Sequence, residues 1–268
     1  MSGEPADGRS SAPLHGQSSG AAAEPRPSAG LRGRSGDVVL EVKDVDVFYG
    51  DFQALFKVSF EVTEGMTFAF IGANGGGKST LLRTVAGLQR PASGRILFHG
   101  EPVDRYPAHK RVGMGIALVP EGRRVFPSLT VRENLLMGAY GGRKGDWNVD
   151  SVVELFPLLK PLMKRGAGSL SGGEQQAMAI GRALMSNPEL LLLDEVSLGL
   201  APVVIKRIYE AMVQLVGTGH TILVVEQDVQ HVLTVADYVA CFLEGRISLE
   251  GKPGDLSSEA ITAAYFGM

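Results

Sequence analysis

The sequence predicts an α/β fold with a mixed sheet core, and three observations predict it. "LLLLDE" and "TILVVEQ" are short apolar runs without alternation, the pattern of parallel strands covered on both faces. A glycine-rich segment, "IGANGGGKSTLL", joins the strand-like run "TFAFI" to a helix-like one. From Leu129 to about Pro188 the period turns helical, in "TVRENLLMGAY", "VDSVVELFPLLKPLM" and "SGGEQQAMAIGRALM".

In chain order, residues 1–36 are rich in Gly, Ser, Ala and Pro and lack the apolar centre of a signal peptide. Such a composition buries too little apolar surface to offset its ordering entropy, so a disordered tail is expected there. Without an export signal, the rest is expected in the cytoplasm. From Val38 the chain alternates as strands do, in "VVLEVKDVDVFYG", "FKVSFEV" and "MTFAFIG". Thr80 to Leu88 reads as a helix, "GRILFHGEPV" as an edge strand with its turn, and "GMGIALVPE" as another strand. The parts sum to one α/β domain, 37–268, with an antiparallel β edge and a helical insertion at roughly 100–188.

Bulk composition narrows the classes. With 268 residues, 44% hydrophobic, the chain has ample core for one large domain or two small ones. A net charge of -3 signals no general nucleic-acid face. Cys241 is the only cysteine, which rules out an intrachain disulfide and a multi-cysteine zinc site. In "YVACFLEG" it reads as a small buried hydrophobe. No apolar run reaches the ~20 residues of a membrane span, so any link to a membrane runs through a partner. His99, His109, His220 and His231 lack ligand spacing, and Trp147 reads as packing.

The glycine-rich segment carries the chemistry. Gly72, Gly77, Lys78 and Ser79 fit G-x-x-x-x-G-K-[ST] after a strand and before a helix, the setting of a phosphate-binding loop. Glycines let backbone N–H groups turn inward around phosphates, and the helix N-terminus adds partial positive charge. Ala73, Asn74, Gly75, Gly76 and Thr80 complete the cradle; Lys78 reaches the β- and γ-phosphates, and the Ser79 hydroxyl ligates Mg²⁺. At the end of "LLLLDE", Asp194 is placed to hold the same Mg²⁺ and Glu195 to polarise an attacking water. An ordinary strand end with solvated acids is the alternative.

The segment "SLSGGEQQAMAIGRALMSNPELLLLDE" resembles the ATP-binding cassette (ABC) family, whose signature matches Leu170 to Glu174. The resemblance runs from about Val38 to Met268 and implies a P-loop nucleotidase fold of the ABC ATPase type. It implies that Ser171, Gly172 and Gly173 close on the γ-phosphate held by a second ATPase subunit, so that two subunits sandwich two ATPs. It places Tyr49 against adenine (one more core aromatic being the alternative), Glu121 at the usual glutamine of the Q-loop, Ser197 to Pro202 across the dimer interface, and Gln227 at the switch position, usually histidine. "VPEGRRVFPSLTVRENL", "DEVSLGLAP" and "VVEQ" are similar to the ATPases of branched-chain amino acid importers of the LivF type. Arg123 and Arg124 either face the membrane subunit or are solvated.

Implied cofactors are ATP and Mg²⁺. Implied partners are a second ATPase in a heterodimer, two membrane permease subunits and, indirectly, a periplasmic or extracellular solute-binding protein, with the chain peripheral on the cytoplasmic face of the membrane and no nucleic acid. Import of urea, amides or aromatic acids by the same route, a soluble ABC protein and a small-molecule P-loop kinase are the rivals. Ala73 and Gly76 depart from the common Pro and Ala of the loop, and Val196, in place of Pro, is expected to loosen the chain beyond Glu195.

Overall fold

The computed structural model describes residues 36–267; the expected tail lies outside them apart from Gly36. Strands β1 (Val38–Tyr49), β2 (Phe52–Thr63), β4 (Ser93–Phe98) and β5 (Glu101–Pro102) form an antiparallel sheet in the order β2-β1-β4-β5. The "GRILFHGEPV" run supplies most of β4, its turn and the two-residue β5 at the edge of this sheet, so β4 itself is covered on both sides. The second sheet holds β3 (Thr67–Ile71), β6 (Ile116–Val119), β7 (Leu190–Asp194), β8 (Thr221–Glu226), β9 (Tyr238–Leu243) and β10 (Arg246–Gly251), ordered β10-β9-β3-β8-β7-β6. Its strands pair in parallel except for the antiparallel edge β9–β10.

Alternation along the buried strands explains why their sequences show no polar face. Phe68, Phe70, Leu190, Leu192, Leu223, Val225 and Phe242 point toward the antiparallel sheet and helix α1 (Lys78–Val85). Ala69, Ile71, Leu191, Leu193, Ile222, Val224 and Cys241 point toward the helices on the other face. Phe60 of β2 meets Phe70 edge-on at 4.9 Å between ring centroids and Phe68 at 5.5 Å, joining the sheets through an aromatic cluster. Helix α1 starts at Lys78, two residues before the sequence reading put it, because Gly77 already serves as its N-cap. At its other end, Arg111 of α2 (Ala108–Met114), 1% exposed, donates to the Thr84 and Val85 carbonyls at 2.8 Å, satisfying orphan acceptors of the last turn.

Within 100–188, β6 belongs to the parallel sheet, and the unbroken helical run begins at Val131. Its helices α3 (Val131–Gly138), α4 (Val149–Leu155) and α5 (Gly172–Leu184) each open on a reciprocal capping box, Thr130 with Glu133, Asn148 with Ser151 and Ser171 with Glu174. The chain closes with α6 (Pro202–Gly217), α7 (Val229–Leu233) and α8 (Ser258–Phe266). Helices α3 and α5 cross at Gly138, where a Cβ would stand 1.8 Å from the Arg182 carbonyl oxygen. Gly138→Ala is expected to force the two helices apart and destabilise the chain by about 1–3 kcal/mol. Urea unfolding of the nucleotide-free protein measures this; an unchanged midpoint would show that the crossing tolerates a methyl group.

Candidate nucleotide site

Strands β3, β7 and β8 end at one level because they pair in register: Ile71 with Glu226, and Asp194 with Val225. The phosphate-loop residues, Asp194, Glu195 and Gln227 converge there. Beyond Ile71 the loop 72–77 passes so near β9 that a Cβ on Gly72 would lie 2.2 Å from the Phe242 carbonyl oxygen, which accounts for glycine at that position. Gly77 gives α1 no side-chain cap, so the first amides of the helix are free of side-chain acceptors.

Lys78 is 3% exposed, and its Nζ donates to the carbonyls of Gly72 (2.8 Å) and Ala73 (2.9 Å) while lying 3.9 Å from Glu195 Oε1. Burial lowers its pKa, against the pull of Glu195, Asp194 and Glu226. Ser79 donates its hydroxyl proton to Asp194 Oδ1 at 2.7 Å. The other oxygen, Oδ2, is buried without a hydrogen-bond partner. Burial raises the Asp194 pKa; the Ser79 bond and Arg83 pull it back, and the charge of Glu121 adds to the rise. The Glu121 N–H, too poorly placed to satisfy Oδ2 as a hydrogen bond, offsets that rise. A serine hydroxyl beside an orphaned carboxylate oxygen fits a hard divalent cation such as Mg²⁺.

Glu195 follows the strand at φ +49°, in the left-handed region, and its N–H donates to the Val225 carbonyl at 3.0 Å. Gln227 Nε2 donates to Glu195 Oε2 at 2.6 Å, so the two side chains touch directly. Burial raises the Glu195 pKa, partly offset by that bond and by Lys78. Val196 does not loosen the chain as expected: it is 1% exposed in the core, and Ser197 is bonded through N–H and hydroxyl to Glu226.

A cleft of about 600 Å³ opens in front of the loop, lined by Gly75, Gly77, Lys78, Ser79, Thr80 and Glu195 at one end. At the other end stand Tyr49 and residues the sequence reading missed: Phe52, Phe56 and Arg246, whose guanidinium lies 4.5 Å from the Phe56 ring centroid. Tyr49 and Phe52 face each other across the β1–β2 hairpin. Tyr49 is half-exposed in the cleft wall rather than a core aromatic.

Ser171, Gly172, Gly173 and Glu121 do not line this cleft. Ser171 caps α5, and Gly173 lies so close to Val204 of α6 that a Cβ would meet its methyl groups at 2.8 Å. Arg123 is not simply solvated: its guanidinium rests about 3.0 Å from where a Cβ on Gly172 would stand. Three of the histidines have structural partners, His99 on Glu189, His220 accepting from the Trp147 indole, and His231 on Asp228.

Residues 55–197 match the family model described as ABC transporter. The chain is 47% identical over 232 residues to the high-affinity branched-chain amino acid transport ATP-binding protein BraG of Pseudomonas aeruginosa, covering 85% of this chain and all of that one. It is 35% identical over 221 residues to a probable branched-chain amino acid transport ATP-binding protein, LivF, of Archaeoglobus fulgidus, covering 81% and 94% of the two chains. Among solved structures, the ADP conformation of an ATP-binding cassette of an ABC transporter superposes with a TM-score of 0.75 at 29% identity, over 86% of this chain and 99% of the other. With the phosphate loop, the paired acids and the signature segment all inside the matched span, the chain belongs to the ABC transporter family as one of its ATP-binding proteins.

Proposed function

We propose that this chain is the ATPase subunit of an importer for branched-chain amino acids: it binds MgATP in the cleft, closes on a second ATPase subunit, hydrolyses the γ-phosphate bond and drives a membrane permease. The observation that carries the reading is the group at the strand ends, where Ser79 bonds Asp194 at 2.7 Å and Lys78 pairs with Glu195 at 3.9 Å.

Each residue has a role in this reading. The N–H groups of 73–77 and the start of α1 cradle the phosphates, and Lys78 exchanges a loop carbonyl for a phosphate oxygen. Ser79 and Asp194 hold Mg²⁺, which, when bound, neutralises charge on the β- and γ-phosphates. Glu195 orients and polarises the water, and Gln227 keeps its carboxylate turned inward. The transition state of phosphoryl transfer requires positioning and charge more than covalent catalysis. Tyr49, with Phe52 opposite, stacks on the adenine. Ser171, Gly172 and Gly173, outside the cleft, serve the ATP of the partner, and the exposed Leu198 and Val203 suit the facing surface.

The branched-chain solute rests on the similarity to the two branched-chain relatives and on Glu121, Gln227 and "SLGLAP". A sulfate/thiosulfate import ATP-binding protein of Mycobacterium tuberculosis is 38% identical over 220 residues, so another small solute is the second reading. The permease face is assigned to α3 and the turn after it, where Leu136, Met137 and Tyr140 are exposed, Tyr140 by 92%. Among the described residues no helix is long and apolar enough to cross a membrane, in keeping with a subunit docked peripherally on the cytoplasmic side.

Three outcomes test this. Lys78→Ala is expected to lose nucleotide binding, whereas Glu195→Gln binds ATP, stays closed and turns over at least about a hundredfold more slowly; equilibrium binding and single-turnover hydrolysis separate them, and normal turnover in Glu195→Gln rejects its role. Gln227 cannot offer a protonated imidazole, so this chain alone is expected to hydrolyse ATP more slowly than when mixed with a histidine-bearing partner ATPase; equal rates would remove the heterodimer. Asp194→Asn is expected to stabilise the nucleotide-free chain at pH 7 while abolishing the Mg²⁺ dependence of ATP binding. The folded-state pKa of Asp194 is raised, so the wild-type penalty is present above the folded pKa and fades as pH falls through it. Thermal unfolding followed as the pH is lowered from 7 toward the ordinary carboxylate range should show the gap between variant and wild type narrowing.

A further inference from the structure

Glu226 ends β8 with its side chain 1% exposed, and none of the chemistry above uses it. Its Oε1 accepts the Ser197 N–H at 3.1 Å, and its Oε2 accepts the Ser197 hydroxyl at 2.7 Å. A buried carboxylate is costly unless hydrogen bonds replace its water. Here both oxygens engage one residue of the neighbouring loop, with the Gln227 N–H and the Tyr209 hydroxyl also close to the carboxylate.

That residue stands two positions beyond Glu195, whose φ of +49° is a left-handed conformation that a residue with a Cβ keeps only when its flanks hold it. The upstream flank is fixed by the ladder, with Asp194 paired to Val225 and the Glu195 N–H on the Val225 carbonyl. The downstream flank is Val196, packed in the core, and then Ser197. Glu226 follows Val225 directly, so its grip on Ser197 closes a ring from one strand end to the other around the turn.

We propose that Glu226 is the positioning residue of this site: by holding Ser197 it fixes the left-handed turn that aims Glu195 at Lys78 and Gln227. The inference rests on the reading of Glu195 as the residue that handles the water. Glu226 itself does not line the nucleotide cleft. It acts through the backbone, and the position requires an acceptor for the amide together with a partner for the hydroxyl. Glutamine meets both demands, since Oε1 accepts the N–H and Nε2 donates to the Ser197 oxygen. Leucine meets neither.

Steady-state ATP hydrolysis by the full chain with its copurifying subunits tests the idea in Glu226→Leu, Glu226→Gln, Ser197→Ala and Glu195→Gln. Displacing a catalytic group by an ångström is enough for large rate losses, so Glu226→Leu is expected to lower kcat at least about tenfold with KM for ATP within about twofold. Glu226→Gln should recover most of that loss, Ser197→Ala should fall between, and the Glu226→Leu/Ser197→Ala pair should be no slower than Glu226→Leu alone. If Glu226→Leu does not fold, Ser197→Ala decides, because it removes only a hydroxyl: an unchanged kcat overturns the proposal. A rise in KM with kcat intact overturns it too. Glu195→Gln separates the two readings. If that variant is inactive while Glu226→Leu is fast, the positioning role alone fails; if it turns over normally, the assignment of Glu195 fails and takes this inference with it.

Discussion

The site depends on the register of three buried parallel strands. Pairing Ile71 with Glu226 and Asp194 with Val225 brings the phosphate loop, the Asp194–Glu195 pair and the Glu226–Gln227 pair to one edge with no side chain needed to gather them. Polarity cannot set that register, because both faces of each strand are apolar and a one-residue slip would expose nothing to water. Size can, for β3 and its neighbour β9. Phe68, Phe70, Tyr238 and Phe242 all lie toward the antiparallel sheet, where rings meet Phe60 and one another at 4.9–5.6 Å. Ala69, Val239 and Cys241 lie toward the helices. A slip would press rings into the helical side and leave voids on the other, which a close-packed interior resists.

Electrostatics at the strand ends carry the mark of a site built for ligands it does not itself supply. Burial pushes Asp194, Glu195 and Glu226 up and Lys78 down, so every charged form at this edge is held against desolvation. Lys78 is tied to the carbonyls of Gly72 and Ala73, which holds the loop open, while Asp194 has one oxygen on Ser79 and one on nothing. A cation beside Asp194 and a polyanion beside Lys78 would relieve both burdens together. Donors and acceptors fixed in advance do not have to reorganise when charge moves during the reaction.

Much of this was legible in the sequence, for physical reasons. The strand–glycine–helix setting of Gly72 to Ser79 and the apolar run before Asp194 are local patterns, and local patterns survive in one dimension. Glu226 was not legible: at the end of "TILVVEQ" it resembles any acid leaving a strand, and only the approach of Ser197 from another loop shows that it is buried. The left-handed backbone of Glu195 was hidden too, since a charged residue gives no sign of positive φ. Phe52, Phe56 and Arg246 reach the cleft from a hairpin and a distant edge strand. Their membership is a fact of packing, visible only when β2 and β10 are placed side by side.

The loop after β6 shows how events at the strand ends can reach the surface. Its first charged residue, Glu121, acts on Asp194 through its charge. Two residues on, the Arg123 carbonyl accepts from Arg182 Nη2 of α5, and the Arg182 guanidinium lies 5.1 Å from the Phe126 ring centroid. Phe126 is then clasped by Asn134 of α3, which accepts its N–H at 2.9 Å and donates to its carbonyl at 3.0 Å. Asn134 is fully buried, whereas Leu136 and Met137 of the same helix face outward. One loop is thus fastened to the signature helix and to the helix bearing the exposed apolar patch, and it begins within charge range of the carboxylate assigned to Mg²⁺. Because Arg182 and Asn134 grip the loop beyond Glu121, α3 and α5 must follow any movement of it or break these half-buried hydrogen bonds. That constraint is what the proposed coupling of hydrolysis to a permease requires.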